Sequence, residues 1–231
     1  MKKVAILQSN YIPWKGYFDI INSVDEFVLY DDMQYTKRDW RNRNKIQTAN
    51  GLQWITIPVI VKGKYFQKIS STKISDKNWK NKHWKFLKQN YSKAKFFKEY
   101  DNFFEAMYLN NKDEYLSEIN YKFIVAINEI LGISTKVSWS SDFDLLDGKS
   151  EKLLGICKDC NADIYLTGPA SKDYLDKDIF EQNDIKIEWM NYNNYPEYKQ
   201  LYEPFKHEVT ILDLIFNEGT YATKFMKSFN K

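Results

Sequence analysis

Cysteine is nearly absent from this chain. Two occur among 231 residues, Cys157 and Cys160, which excludes a disulfide framework and makes the reducing cytoplasm the expected compartment. Their CxxC spacing stands without a second pair or a nearby histidine and falls short of a zinc site; at i, i+3 on an expected helix the thiols read as core fillers. No stretch approaches the ~18 consecutive apolar residues of a membrane span. The opening Met1–Gln8 has an apolar run only from Val4 to Leu7, shorter than the ~7–15 residues of a signal-peptide core. An excess of one charge is also missing: 34 basic residues face 31 acidic ones, a net charge of +3, which excludes a dedicated DNA-binding domain. The GxGxxG and Walker A phosphate loops are absent, as are a GxSxG nucleophile elbow and any His/Asp/Glu cluster at metal-ligand spacing. Catalysis is therefore expected to be acid–base and positional, with no metal and no resident cofactor.

What is present is a core and many aromatics. Hydrophobic residues make up 43% and aromatics 17%. Tyr and Trp have apolar bodies and polar tips, so they suit a half-wet groove, although the codon bias of an AT-rich genome accounts for the same excess. Val4–Leu7 predicts a short buried strand of a parallel sheet. The polar loop Gln8–Pro13 follows, with Pro13 suited to the first turn of a helix over Trp14–Val24. Glu26–Tyr30 is a second strand, ending in Asp31-Asp32. Asn44–Thr48 and Gln53–Val61 predict a hairpin around Asn50-Gly51, with Pro58 placing the second strand at an edge. Asp76 is the expected N-cap of a helix that aligns Trp79, His83, Leu87 and Tyr91 on one face. Helical patterns continue through Phe96–Tyr108 and Lys112–Leu131, where Gly132 ends them. Strands at Thr135–Trp139, Ala162–Leu166 and Ile185–Trp189 alternate with helices at Lys149–Cys160 and Lys177–Gln182, and helices at Thr210–Phe216 and Ala222–Phe229 close the chain. The fold class is α/β: a mostly parallel, Rossmann-like sheet with flanking helices and a helical insertion. Residues 1–72 and 132–231 form the expected core domain and 73–131 the insertion, in one compact unit.

Ligands of open α/β sheets bind outside the carboxyl ends of the strands. That rule selects three polar loops, Gln8–Trp14, Asp31–Arg43 and Thr167–Tyr174. The second is the densest, with Lys37, Arg38, Arg41 and Arg43 close to Tyr35 and Trp40. Arginine offers a rigid fork of donors for phosphate or carboxylate, and the two aromatics would stack a nucleobase or a sugar. The bland alternative is a solvated turn whose arginines pair with Asp31, Asp32 and Asp39. Of the two histidines, His83 falls on an amphipathic face and reads as structural. His207 precedes a helix beside Glu208, which would orient its ring, and is the natural general base or acid.

The segment QSNYIPWKGYFDIINSVDEFVLYDDMQYTKRDWRNRN resembles the opening of the WbqC-like protein family, whose pattern is a strand, Gln-Pro-x-Tyr-x-Pro-Trp-x-Gly-Tyr-Phe, a strand ending in Asp-Asp-x-Gln-Tyr, and an Arg/Asn-rich turn. WITIPV, KHWKFLKQNY, YLTGPASKDYL and YEPFKHEVTILDLIFNEG extend the likeness over essentially the whole chain. Ser9 and Asn10 depart from it, standing where Pro and a variable residue are expected. The resemblance implies an accessory enzyme of bacterial surface-polysaccharide synthesis, a transferase that attaches an acyl or aminoacyl group to a nucleotide-linked amino sugar. It implies His207 as base, with Asp31 and Asp32 as further catalytic candidates, and a diphosphate held by Arg38, Arg41 and Arg43. Gln8, Tyr11, Trp14, Tyr17, Gln34, Tyr35, Trp40, Asn42, Gly168, Ser171 and Tyr174 would line the substrate. Acyl-CoA, aminoacyl-tRNA or ATP is the expected co-substrate and a nucleotide-sugar the expected small-molecule partner, without DNA or membrane insertion and with self-association left open. The first loop is also similar to that of ATP-binding nucleotidyltransferases and pantothenate-type ligases, which carry His-x-Gly-His where Trp14 and Tyr17 stand here. An ATP-dependent ligase and a non-enzymatic glycan- or partner-binding protein are the rival readings.

Overall fold

Short apolar runs separated by amphipathic helices set the architecture. The structure, a computed structural model, describes residues 1–230. In chain order the elements are β1 (Lys3–Leu7), α1 (Lys15–Asn22), β2 (Glu26–Leu29), the hairpin β3 (Arg43–Thr48) and β4 (Gly51–Thr56), then α2 (Trp79–Tyr91), α3 (Phe97–Leu109) and α4 (Leu116–Leu131). β5 (Lys136–Trp139), α5 (Lys149–Asp159), β6 (Ile164–Thr167), α6 (Lys177–Glu181), β7 (Lys186–Trp189) and α7 (Ile211–Glu218) follow, and a 3-10 turn over Gly219–Phe225 comes last. Five strands form one parallel sheet in the order β5-β2-β1-β6-β7, and β3 and β4 pair separately. The sheet is the α/β framework that the apolar runs predict.

Alternation along the central strands divides the core into two layers, because successive side chains of a strand point to opposite faces. Val4, Ile6, Val28 and Tyr30 pack with Leu153, Ile156, Cys157 and Phe180 of α5 and α6. Ala5, Phe27 and Leu29 pack on the other face with α1, α7 and the helices α2–α4. The 73–131 helices thus supply much of one core layer. Trp79, His83, Leu87 and Tyr91 are all buried, as their i, i+4 spacing requires. Cys157 and Cys160 lie buried as free thiols, and burial raises both above the ordinary thiol range.

Three local expectations are corrected. The strand expected over Gln53–Val61 ends at Thr56, since Pro58 offers no N–H to a ladder. Asp76 does not cap α2: Asn78 occupies that position, and Asp76 accepts the Asn78 N–H in a turn before it. The helix expected over Ala222–Phe229 is the 3-10 segment ending at Phe225. The Asn230 side chain closes the turn after it, bonding the carbonyls of Lys224 and Met226.

Candidate functional site

β1 stands mid-sheet, and the chain leaves it toward β2 on one side and comes back at β6 on the other. The loops after β1 and β6 therefore diverge, which is where open α/β sheets hold ligands. A cleft of about 540 Å³ opens there, collecting Gln8 from the first loop and Gly168, Ser171 and Tyr174 from the second. Ser171 is fixed by donating to the Gly168 carbonyl (2.9 Å) and accepting the Trp189 indole N–H (3.2 Å). Tyr30 at the end of β2, and Lys149 and Lys152 from the opening turn of α5, complete the wall.

A second cleft, about 290 Å³, is lined by Asn10, Pro13, Trp14, Trp40, Asn44, His207 and Glu208. Arg41 joins the two, donating to Gln8 Oε1 at 3.0 Å and to Asn10 Oδ1. His207 reaches this cleft because its segment is stitched to the first loop. The Thr210 hydroxyl donates to the Ile12 carbonyl (2.7 Å), and the Ile211 N–H to that of Pro13 (2.9 Å). Asn44 holds the same loop from the hairpin, donating to the carbonyls of Tyr11 (3.1 Å) and Ile12 (2.9 Å). Ile12 sits there at φ 37°, a strained backbone for a β-branched residue. The Trp14 indole lies across Gly16, where a Cβ would collide with the ring, and meets Tyr192 and Tyr195 edge-on at 5.4 Å each.

Beside this cleft the hairpin carries a cationic aromatic wall. Trp40 and Trp54 lie 5.2 Å apart, with the Arg43 guanidinium 4.0 Å over Trp54. Lys45 lies over both rings and pairs with Glu208 at 2.7 Å. That ammonium, and not the His207 ring, takes the Glu208 carboxylate. His207 instead lies edge-on to Phe205, 4.6 Å away. Burial and the nearby Lys15 charge hold its imidazole below the usual pKa, against the pull of Glu197.

Other expected site residues line neither cleft. Tyr11 is fully buried, and Tyr17 faces inward with its hydroxyl on the Gln8 carbonyl (3.0 Å). Asn42 is buried on the Ile57 carbonyl (2.7 Å). Asp31 is 1% exposed, accepting from the Ser9 N–H (2.8 Å) and the Ser117 hydroxyl. Burial pushes its carboxyl up, although Ser117, Ser9 and Arg41 pull it down. Asp32 is held low by Lys68 (2.6 Å) and Ser140 (2.8 Å), which outweigh its burial. Gln34 donates to the Tyr65 carbonyl (2.7 Å), and the Tyr35 N–H to that of Gln67 (2.9 Å). Arg38 is exposed at φ 60°, and its carbonyl receives Arg43. Of the arginine–carboxylate pairs conceivable in this turn, Arg41 with Asp39 forms, at 3.6 Å.

The profile of the WbqC-like protein family matches residues 8–225, a span that takes in every cleft residue named in this subsection. The chain belongs to that family. It is 49% identical over 227 residues to an uncharacterized protein of Mycobacterium tuberculosis, with 98% of each chain covered. No solved structure matches it.

In this WbqC-like chain the other histidine is structural. His83 Nε2 lies 3.1 Å from the Thr56 carbonyl and must donate, since a carbonyl only accepts. Nδ1 then accepts the Tyr11 hydroxyl (2.9 Å), and Tyr11 in turn accepts that of Tyr108 (2.8 Å). Burial drives the His83 pKa down to about 4, against about 6.5 in an unfolded chain. Between those values the unfolded state binds the extra proton, so stability rises with pH and is lost on acidification. Acidification from about pH 6.5 to 4 should remove about 3 kcal/mol through this residue. Urea midpoints measured across that range for wild type and His83→Gln should converge toward low pH; parallel curves would refute the assignment. Tyr30, Asn44, Lys149 and Lys152 lie outside the three loops that the sequence selects, and Asn10 and Pro13 lie inside the first of them without being singled out as site residues.

Proposed function

We propose that this WbqC-like protein is a transferase that attaches an acyl or aminoacyl group to the amine of a nucleotide-linked sugar, in bacterial surface-polysaccharide biosynthesis. The observation that carries the reading is the pair of clefts joined at Arg41, one at the switch point of the sheet and one holding an accessible histidine between tryptophans. The nucleotide occupies the larger cleft. The sugar ring lies against Trp14 and Trp40, whose faces suit its apolar C–H surface, and its amine approaches His207. The amine lone pair forms an N–C bond to the acyl carbon of a thioester or aminoacyl ester as the C–S or C–O bond breaks. His207 takes the proton that the amine loses and returns it to the departing thiol or hydroxyl. Asp31 acts by tying Ser9 in place, not by touching substrate.

Thermal unfolding against UDP-, GDP- and dTDP-linked amino sugars tests the reading. A ligand at 100 times its Kd stabilises by about 2.7 kcal/mol, which shifts the melting temperature by several degrees. No shift with any nucleotide-sugar would sink the proposal, and a shift with ATP and magnesium alone would replace it with the ligase reading.

A further inference from the structure

The family resemblance assigns a diphosphate to Arg38, Arg41 and Arg43, but Arg38 lines neither cleft and the guanidinium groups of the other two are already committed. Arg41 is spent on Gln8, Asn10 and Asp39, and Arg43 on Trp54 and the Arg38 carbonyl. The switch-point cleft has cations of its own. Lys149 and Lys152 both line it, and neither forms an ion pair or a side-chain hydrogen bond among the described residues. Three residues apart on one helix, they share a face. Asp32, the carboxylate that Lys152 acts on, is already neutralised by Lys68 at 2.6 Å. Across the cleft, Gly168 faces open space where a side chain would stand, so backbone can approach a ligand closely there. Tyr174 at the cleft wall is 56% exposed.

We propose that the switch-point cleft binds the diphosphate of a nucleoside diphosphate or its sugar conjugate on Lys149 and Lys152, with the base against Tyr174. The proposal rests on the reading of this cleft as the nucleotide site and names which groups hold the charge. The sugar then extends past Gln8 and Arg41 toward His207.

Calorimetric titration of the full chain with UDP, GDP, dTDP, their nucleosides and inorganic pyrophosphate tests it. At least one diphosphate should bind, with affinity about tenfold or more above its nucleoside per lysine engaged, and should weaken as salt rises. Lys149→Gln combined with Lys152→Gln should reduce that diphosphate to the affinity of its nucleoside. Lys149 is exposed and Lys152 half-buried, and neither is paired among the described residues, so the melting temperature should hold. Gly168→Val is a second probe. At φ −72° and ψ 155° the backbone accepts any residue, so the variant should fold while losing both diphosphate and nucleoside. Diphosphate binding that survives the double lysine change but fails in Arg38→Gln or Arg43→Gln would overturn this assignment and leave the nucleotide reading standing. Binding of no diphosphate and no nucleoside by the wild type would overturn both.

Discussion

Asn44→Asp should destabilise the protein by about 4 kcal/mol and dismantle the His207 cleft. Asn44 is 2% exposed, and its amide donates to two carbonyls, those of Tyr11 and Ile12. A carboxylate cannot donate, so the Tyr11 carbonyl is left unsatisfied at about 1–3 kcal/mol, the Ile12 carbonyl keeps only the Thr210 hydroxyl, and a charge is buried as well. The Lys45 N–H that Asn44 Oδ1 accepts at 2.8 Å would still be satisfied, which limits the loss. Ile12 adds to it, because its φ of 37° persists only while the surroundings hold it. Asn44→Ala orphans the Tyr11 carbonyl without adding charge and should cost about half as much. The new carboxyl of Asn44→Asp is strained only while ionised, so its deficit should shrink on acidification and that of Asn44→Ala should not. Denaturant unfolding at pH 5 and pH 8 separates the two. Equal and pH-independent deficits would mean that Asn44 merely fills space.

The reason Asn44 went unnoticed in the sequence applies to much of the site. What could be read were features whose cause is local. Val4–Leu7 is too short and too apolar for anything but a buried strand, and the i, i+4 row from Trp79 to Tyr91 dictates one helical face. The loops after β1 and β6 followed from strand position alone, and Gln8, Gly168, Ser171 and Tyr174 do meet in one cleft. Tyr11 could not be read. An aromatic in a polar loop has the same local signature whether it faces a ligand or the core, and its hydroxyl partners, His83 and Tyr108, lie 72 and 97 residues away. Asp31 is similar: an acidic residue at a strand end resembles a catalytic carboxylate until Ser117 arrives from α4 to bury it. Lys149 and Lys152 fail for the opposite reason. They look like any two of 34 basic residues, and only the packing of α5 beside β1 and β6 distinguishes them. Local order also misleads for the histidine, since Glu208 pairs with Lys45, 163 residues away, and not with the ring beside it in sequence.

His207→Ala should lower turnover of an amino-sugar conjugate by about 10²- to 10⁴-fold, the usual worth of a positioned base, equivalent to about 3–5 kcal/mol of barrier. Its effect on stability should be small, because the ring is exposed and its contact is one edge-on aromatic neighbour, Phe205. Affinity for the nucleotide moiety should also hold, since His207 lines the smaller cleft. The pH profile separates a base from a group that only shapes the cleft. The imidazole is held below its ordinary pKa by burial and by Lys15, so it is already neutral and able to accept a proton somewhat below pH 6.5. The wild-type rate should therefore rise as pH climbs through that region and level off above it, and the variant should lose this limb along with its rate. Lys15→Met removes the charge that depresses the ring and should move the limb toward higher pH without abolishing it. A variant His207→Ala that keeps its rate within about threefold of wild type, less than 1 kcal/mol of barrier, or that keeps the acid limb, would remove His207 from the chemistry. The smaller cleft would then be a binding surface whose tryptophans hold a sugar that reacts elsewhere.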